Sequence, residues 1–377
     1  MKRNSGPSPL RIRAAIRFFS TKILAPTLAI LVEFACSSLA QSPNDLLPGP
    51  KPADIPSAWK PWIGEYGPSE SSASFVTIEV VSEKDGYIVF LSRNKRPDGV
   101  HYENGEKFRM QGSAPSNHGL RKGSSGEQQL VEGDVVVGKI TPEFDARAQV
   151  LINPVRPVAE LRSEAVAASP PNETGNFRKP DLVELVPLDS AIHLDIRYAT
   201  SNDFLGTPVY SQARAFLQRP AAEALLRVQQ TLKTLGYGLL IHDAYRPWYV
   251  TKIFWDATPP EGKIFVADPA QGSRHNRGCA VDLTLYDLAR GKPIEMPGTY
   301  DEMSPRSFPD YPGGTSLQRW HRDLLRRAME SEGFTVYEAE WWHFDYKDWK
   351  EYPILNVPFE KLGSDSGAAS AHWLQRH

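Results

Sequence analysis

The two halves of this sequence carry different hydrophobic patterns, and that change constrains the fold more than any other feature. Residues 59–160 contain short, alternating, β-branched segments, and two of them, 75–81 and 87–91, flank Asp85-Gly86, a pair typical of hairpin turns. Residues 182–362 mix helical and strand-like patterns without a regular β-α-β alternation. We therefore predict an α+β fold, in which a small all-β domain precedes a mixed helix and antiparallel-sheet domain.

The spacing of apolar residues predicts two helices in the second half. Pro220 can open the first helix, since proline is tolerated at the first helical position. Apolar residues then keep one face as far as Leu235, and Gly236 can end the helix. The second helix is expected from about Ser316 to Gly333. Further strands are expected at 128–131, 135–140, 148–152, 237–241, 334–337 and 341–346.

The first 40 residues have the pattern of a secretory signal peptide. They hold six Lys and Arg residues against one acid, Glu33, followed by small residues that end in Ser38-Leu39-Ala40. The apolar run at 23–32 is too short to span a bilayer, which needs about 20 residues. We expect cleavage after Ala40 and export to the periplasm or the medium; the alternative is a basic tail that is disordered or lies on a membrane surface.

Proline-rich and polar stretches predict the connections between these parts. We expect a linker at 41–58, a second linker at 161–181 around Pro170-Pro171, and a disordered tail at 363–377.

Charge and cysteine content exclude two classes of function. A formal net charge of −2 argues against a dedicated nucleic-acid binder, which normally carries a basic excess. Of the two cysteines, Cys36 lies in the predicted signal, so Cys279 would stand alone in the mature chain. Neither an intramolecular disulfide nor a cysteine-rich zinc site can then form, and a metal site would need histidines and carboxylates.

A first cluster of such residues lies in Ser273-Arg274-His275-Asn276-Arg277-Gly278-Cys279-Ala280-Val281-Asp282. A turn at Gly278 followed by a strand from Asp282 on can bring the imidazole of His275 and the carboxylate of Asp282 to one point, as a zinc ion requires. By itself the pattern decides little, because most His and Asp residues are surface or capping groups.

A second cluster is Glu340-Trp341-Trp342-His343. In a flat strand Glu340 and His343 would point to opposite faces, so a bend or bulge is needed for both to reach one metal site. His343 as third metal ligand and Glu340 as general base would complete the arrangement of a catalytic zinc, with an open position for water. The alternative is an aromatic edge strand with a solvated Glu and a packed His.

With both clusters, the sequence resembles the zinc D-alanyl-D-alanine dipeptidases, which belong to the cell-wall D,D-peptidases. Their S-x-H-x-x-G-x-A-x-D and E-W-W-H signatures match the two clusters in order. The stretch 195–204 is similar to the family's D-x-R-Y-A-T segment, and Asp243-Ala244-Tyr245-Arg246-Pro247 is similar to its D-x-Y-R-P turn. The resemblance covers residues 182–362.

The resemblance implies one zinc per chain, held by His275, Asp282 and His343, with Glu340 as the catalytic base. It implies that Arg246 stabilises the oxyanion formed from the scissile carbonyl. It also implies that the substrate is the dipeptide D-Ala-D-Ala, with Ser273 near its carboxylate and Asp301 near its ammonium. From the residues alone, a surface guanidinium is the favoured interpretation of Arg246, because Arg before Pro at a turn is common; Asp301 could be a loop acid and Ser273 a turn hydroxyl.

Two other functions stay open at this point. A D,D-carboxypeptidase or endopeptidase would cut longer peptidoglycan peptides on the same fold, which makes peptidoglycan a further candidate partner. A secreted wall-binding protein would keep an inert zinc site, although it would have no use for Glu340. We expect the all-β domain to be dispensable for the chemistry, because every matched residue follows residue 182.

Overall fold

The structure is a computed structural model that describes residues 42–67, 78–96, 99–109, 119–132, 135–140 and 151–363. The predicted signal peptide, most of the predicted tail, and the predicted strand residues 75–77 and 148–150 lie outside the described residues. Within the described ranges, no helix is long and apolar enough to cross a membrane.

Two antiparallel sheets occupy the N-terminal part, which we call the β region (residues 64–140). The first sheet has the order β1-β2-β3-β4 and the second β5-β6-β7. Their strands are β1 (Gly64–Tyr66), β2 (Ile78–Lys84), β3 (Tyr87–Arg96), β4 (Gly99–Arg109), β5 (Leu120–Lys122), β6 (Gln128–Glu132) and β7 (Val135–Gly138). Whether this region is a separate domain with the predicted bounds of 59–160 stays a prediction.

The predicted hairpin is present between β2 and β3. Lys84 pairs with Tyr87, so Asp85 and Gly86 form a two-residue loop. Both loop residues have positive φ, 54° and 79°, as the favoured hairpin turn requires. Aspartate and glycine tolerate this backbone better than other residues, which is why the sequence signal was specific.

Helix α1 (Val158–Ala167) crosses the predicted start of the second linker. Leu161 and Ala165 are fully buried in the main hydrophobic core, together with Leu46 from the N-terminal segment. The helix gave no sequence signal because so few of its residues face the core, and an apolar stripe is what periodicity detects.

The second half is built around a mostly antiparallel sheet, as predicted, and the α+β class is confirmed. The sheet runs in the order β14-β15-β12-β11-β9, with β9 parallel to β11 and β13 paired to β12; β8 and β10 form a separate pair. The strands are β8 (Leu182–Glu184), β9 (His193–Leu194), β10 (Phe216–Gln218), β11 (Tyr237–Asp243), β12 (Ala280–Asp287), β13 (Lys292–Pro293), β14 (Phe334–Tyr337) and β15 (Glu340–Tyr346).

Three helices accompany this sheet: α2 (Arg219–Thr234), α3 (Trp248–Ala257) and α4 (Ser316–Ser331). The predicted helices at 220 and 316 are confirmed. Leu225 and Leu232 of α2 are fully buried, and each contributes about 1.5–3 kcal/mol by leaving water. Helix α2 is followed by Gly236 with φ 86°, and α4 opens with a capping box between Thr315 and Gln318.

Candidate active site

Three residues from separate elements meet at one point beside the central sheet. His275 lies in a short 3-10 turn ahead of β12, Asp282 is the third residue of β12, and His343 faces Asp282 directly across the β12–β15 pairing. His343 Nδ1 is 3.0 Å from Asp282 Oδ1, and His275 Nε2 is 3.3 Å from the same oxygen. The two ring nitrogens are 3.1 Å apart.

The protons of both imidazoles point away from this meeting point. His275 Nδ1 is 2.6 Å from the carbonyl oxygen of Ala244, and His343 Nε2 is 2.9 Å from Asp345 Oδ1. Both oxygens only accept hydrogen bonds, so these nitrogens donate, and the opposite nitrogens, which carry the lone pairs when the imidazoles are neutral, face the meeting point. Asp282 Oδ1, toward which they point, is buried and accepts no hydrogen bond.

Three lone pairs that converge in a buried space need a cation. Tetrahedral zinc with bonds of about 2.0 Å separates its ligand atoms by about 3.3 Å, close to the distances observed here. The electrostatics show that this point attracts positive charge: burial lowers the pKa of His343, but the carboxylates of Asp345 and Asp282 outweigh burial and raise it to about 10, so a metal ion that binds here would take the place of a proton. Burial likewise opposes ionisation of Asp282, yet the two histidines hold its pKa far below the usual range. The residues present therefore suit a metal ion.

Glu340 approaches the same point without joining the three residues. Its Oε2 lies 3.7 Å from His343 Nδ1. A register shift between Val336 and Tyr337 in the β14–β15 pairing supplies the irregularity that a flat strand lacks. Burial raises the pKa of Glu340 to about 7, so its carboxyl group can gain and lose a proton near neutral pH.

Arg246 is a buried residue of the site and not a surface guanidinium. Its Nε and one terminal nitrogen lie 2.9 and 2.8 Å from Asp243 Oδ2, and that terminal nitrogen is 3.8 Å from Asp282 Oδ2. The guanidinium also lies over the rings of Tyr198 and Phe254. This packing fixes an always-charged donor beside the three residues that could hold a metal ion.

Ser273 and Asp301 line the same cavity, whose volume is about 110 Å³. The Ser273 hydroxyl accepts a hydrogen bond from the backbone N–H of His275 at 3.2 Å. Asp301 accepts one from the Tyr198 hydroxyl at 3.1 Å, whereas its other carboxylate oxygen is buried without a partner. All seven predicted residues line this one cavity.

Comparison with known proteins agrees with this geometry. Residues 178–361 match the peptidase M15 family, described as D-ala-D-ala dipeptidase. The chain is 34% identical over 179 residues to the D-alanyl-D-alanine dipeptidase of Escherichia coli K12. This match covers 48% of this chain and 91% of that protein. It is 35% identical over 187 residues to the Enterococcus faecium enzyme of that name (44% of this chain, 92% of that protein). It is also 35% identical over 193 residues to the Streptomyces coelicolor enzyme (46% and 93%).

The chain belongs to the D-alanyl-D-alanine dipeptidase family. Membership makes it a hydrolase of the metallopeptidase class, as the resemblance implied. The matched segment begins at residue 178, so the β region and helix α1 lie outside the part shared with the family model.

Three residues of this family member were not singled out from the sequence. Asp345 accepts from His343, Asp243 accepts from Arg246, and the Tyr300 hydroxyl donates to Asp282 Oδ2 at 3.2 Å. Each orients a residue of the site, as partners of metal ligands commonly do. One signal was available: Asp345 follows His343 by two residues in a strand, which puts both on one face.

Proposed function

We propose that this chain hydrolyses the dipeptide D-Ala-D-Ala with one zinc ion held by His275, Asp282 and His343. The observation that carries the proposal is the convergence of three potential ligand atoms next to an ionisable Glu340 in a small cavity. Zinc, when bound, supplies Lewis-acid chemistry that polarises a carbonyl group and lowers the pKa of water toward 7.

Glu340 is proposed as the general base and acid. Its carboxylate would take a proton from the attacking water and later return that proton to the leaving amine. A pKa of about 7 suits both steps, because a group with a pKa near the operating pH exchanges protons most effectively. Since Glu340 lies beside His343 but outside the ligand set, it remains available for this transfer.

Arg246 is proposed to stabilise the negative oxygen that forms as the peptide carbonyl is attacked. Its guanidinium is held in place by Asp243 before substrate arrives, so little reorganisation is needed during the reaction. Loss of one such donor typically costs about 10²–10³ in turnover.

Two residues that line the cavity suit the two charges of a free dipeptide. Asp301 offers an unpartnered buried carboxylate oxygen to the substrate ammonium, and Ser273 offers a hydroxyl to the substrate carboxylate. A cavity of about 110 Å³ is small beside the roughly 300–1,000 Å³ of pockets for drug-sized ligands. Its size favours a dipeptidase over a carboxypeptidase or endopeptidase that cuts longer wall peptides.

A substrate panel with metal analysis tests this function. The purified chain is assayed with D-Ala-D-Ala, with N-acetyl-D-Ala-D-Ala and with a wall pentapeptide, and its zinc content is measured. We expect one zinc per chain and a strong preference for the free dipeptide. A preference for the pentapeptide would identify a carboxypeptidase or endopeptidase, and binding to peptidoglycan without hydrolysis would identify a wall-binding protein.

We also propose that the protein is exported and cleaved after Ala40. The basic segment, the short apolar run and the Ser38-Leu39-Ala40 site support this proposal. N-terminal sequencing of the mature protein should begin at Gln41, and a full-length chain found in the cytoplasm would contradict export.

A further inference from the structure

The loop at 297–314, between β13 and α4, carries Asp301 into the active-site cavity. The backbone of Asp301 has φ 57°, a left-handed conformation that a non-glycine residue keeps only when its surroundings hold it. Inside the loop, Arg306 donates to the carbonyl oxygen of Pro297 at 3.0 and 3.1 Å and pairs with Glu302 at 3.0 Å. The side chain next to Asp301 is therefore tied to Arg306.

The β region contacts this loop through buried polar and charged side chains. The Tyr311 hydroxyl of the loop donates to Glu65 Oε1 of strand β1 at 2.9 Å, and Arg93 of β3 pairs with the same oxygen at 2.8 Å. Glu65, Arg93 and Tyr311 are all buried. The loop thus ends on an ion pair that belongs to the first N-terminal sheet.

Backbone contacts fix the end of the loop to the next strand of that sheet. The Ser82 hydroxyl of β2 donates to the carbonyl oxygen of Gly314 at 2.9 Å, and the N–H of Glu83 donates to the same oxygen at 3.0 Å. Glu83 Oε2 accepts the N–H of Ser316, the first residue of α4, at 2.7 Å. These bonds leave the loop little freedom relative to the β region.

Charged side chains form one series from the β region to the loop at 297–314. Burial raises the pKa of Glu65, while the positive charges of Arg93 and Arg306 lower it. Arg93, Glu65, Arg306 and Glu302 thus alternate in sign from the sheet to the residue adjoining Asp301. A substitution at Glu65 or Tyr311 would therefore alter the position of Asp301 through this series of charges.

We propose that the β region is a positioning element for substrate recognition: through Glu65 and Tyr311 it holds the loop at 297–314 so that Asp301 meets the substrate ammonium. The inference rests on the proposed function, because it takes a free amino end as the group that Asp301 recognises. Glu65 lies outside the segment shared with the family, so this device is a feature of the longer chain. It competes with the expectation from sequence that the β region is dispensable for the chemistry, which stays a prediction.

Tyr311→Phe in the full chain tests the proposal, since it removes only the hydroxyl that reaches Glu65. We expect KM for D-Ala-D-Ala to rise about fivefold or more while kcat stays within twofold. The preference for D-Ala-D-Ala over N-acetyl-D-Ala-D-Ala should fall by a similar factor, because the capped substrate lacks the ammonium. Glu65→Gln should shift the same quantities in the same direction.

A matched control separates positioning from general loss of stability. Ser92→Ala removes a hydrogen bond to Glu79 between β3 and β2, within the same sheet but away from the loop. This variant should keep the wild-type KM and substrate preference, whatever its melting temperature. If it changed KM as much as Tyr311→Phe does, the effect would reflect the stability of the sheet, and the proposal would fail.

Amide hydrogen exchange provides a readout that needs no activity. Backbone amides at 298–310 should exchange at least about tenfold faster in Tyr311→Phe than in the wild type or in Ser92→Ala. Unchanged exchange and unchanged KM in an active protein would overturn the inference. If the wild-type chain does not hydrolyse D-Ala-D-Ala, the proposed function fails, and exchange alone decides whether the β region holds the loop.

Discussion

Two clusters of buried charge in this molecule differ in how their charges are balanced. In the β region, a guanidinium nitrogen of Arg93 lies 2.8 Å from Glu65 Oε1, and the Tyr311 hydroxyl donates a hydrogen bond to the same oxygen. In the active site, ring nitrogens of His275 and His343 lie 3.3 and 3.0 Å from Asp282 Oδ1, a buried oxygen that accepts no hydrogen bond. Burial of charge is common to both clusters. Three potential ligand atoms that converge on one point distinguish the cluster that suits a metal ion.

The two clusters also depend on the chain in different ways. The active-site residues lie within residues 178–361, the segment shared with the family, and they belong to short sequence motifs. Two of them, Asp282 and His343, face each other across strands β12 and β15. The β-region cluster joins strands β1 and β3 to a loop more than 200 residues further on. The four predictions that follow test this division, beginning with the largest effect.

Replacing His343 should have the largest effect, because it removes one of the three proposed metal ligands. We expect His343→Ala to lose most of its zinc and nearly all hydrolysis of D-Ala-D-Ala, measured by metal analysis and dipeptide assay. His193→Ala is the matched control, since His193 lies exposed against Tyr286 in the same part of the chain. Stoichiometric zinc in His343→Ala would refute the ligand assignment.

Replacing Glu340 should separate chemistry from metal binding. Glu340→Gln keeps the size of the side chain and leaves all three ligands in place, so zinc should remain bound. Turnover should fall by about 10²-fold or more, because a positioned acid and base supplies about 10²–10⁴. Near-normal turnover with D-Ala-D-Ala would reassign proton transfer to another nearby group.

Removing one partner of the β-region pair should affect stability and leave the chemistry intact. Arg93→Met leaves the buried Glu65 without its closest cation, and breaking a buried pair costs about 3–5 kcal/mol. Urea unfolding should show this loss, while zinc content and kcat stay at wild-type values. Loss of zinc in the folded variant would mean that the two clusters are not separate.

The smallest effect concerns pH and the buried His321 of α4. Burial lowers its pKa to about 4, and the Tyr237 hydroxyl lies 3.0 Å from its Nε2. In the unfolded chain the pKa of His321 is near 6.5, so its imidazole binds a proton at pH values where the folded chain keeps it neutral. The free energy of unfolding should therefore fall as the pH drops from 6.5 toward 4.

Between pH 7 and 5.5, His321 should lower the free energy of unfolding by about 1 kcal/mol. His321→Gln should lack that part of the slope when unfolding is followed at several pH values. An identical slope in both proteins would show that His321 is already charged in the folded state.

Local patterns determined much of the fold. The Asp85-Gly86 hairpin, helix α2 ending before Gly236, and helix α4 each depend on neighbouring residues, and each was predicted. Helix α1 was missed because its burial depends on the core that Leu161 meets and not on its own pattern. The resemblance indicated all seven site residues, because the family's motifs lie in short segments of the chain.

The sequence by itself determined which side chains are available for chemistry: two histidines and two acids in fixed local contexts, with an arginine after a turn. Tertiary structure alone decided that His343 meets Asp282 and that Tyr311 reaches Glu65. These contacts join residues that chain folding brings together from distant segments, or depend on which face a side chain takes in the packed sheet. A local pattern carries no record of such partners, because hydrogen bonds and ion pairs depend on distance in space and not on separation in sequence.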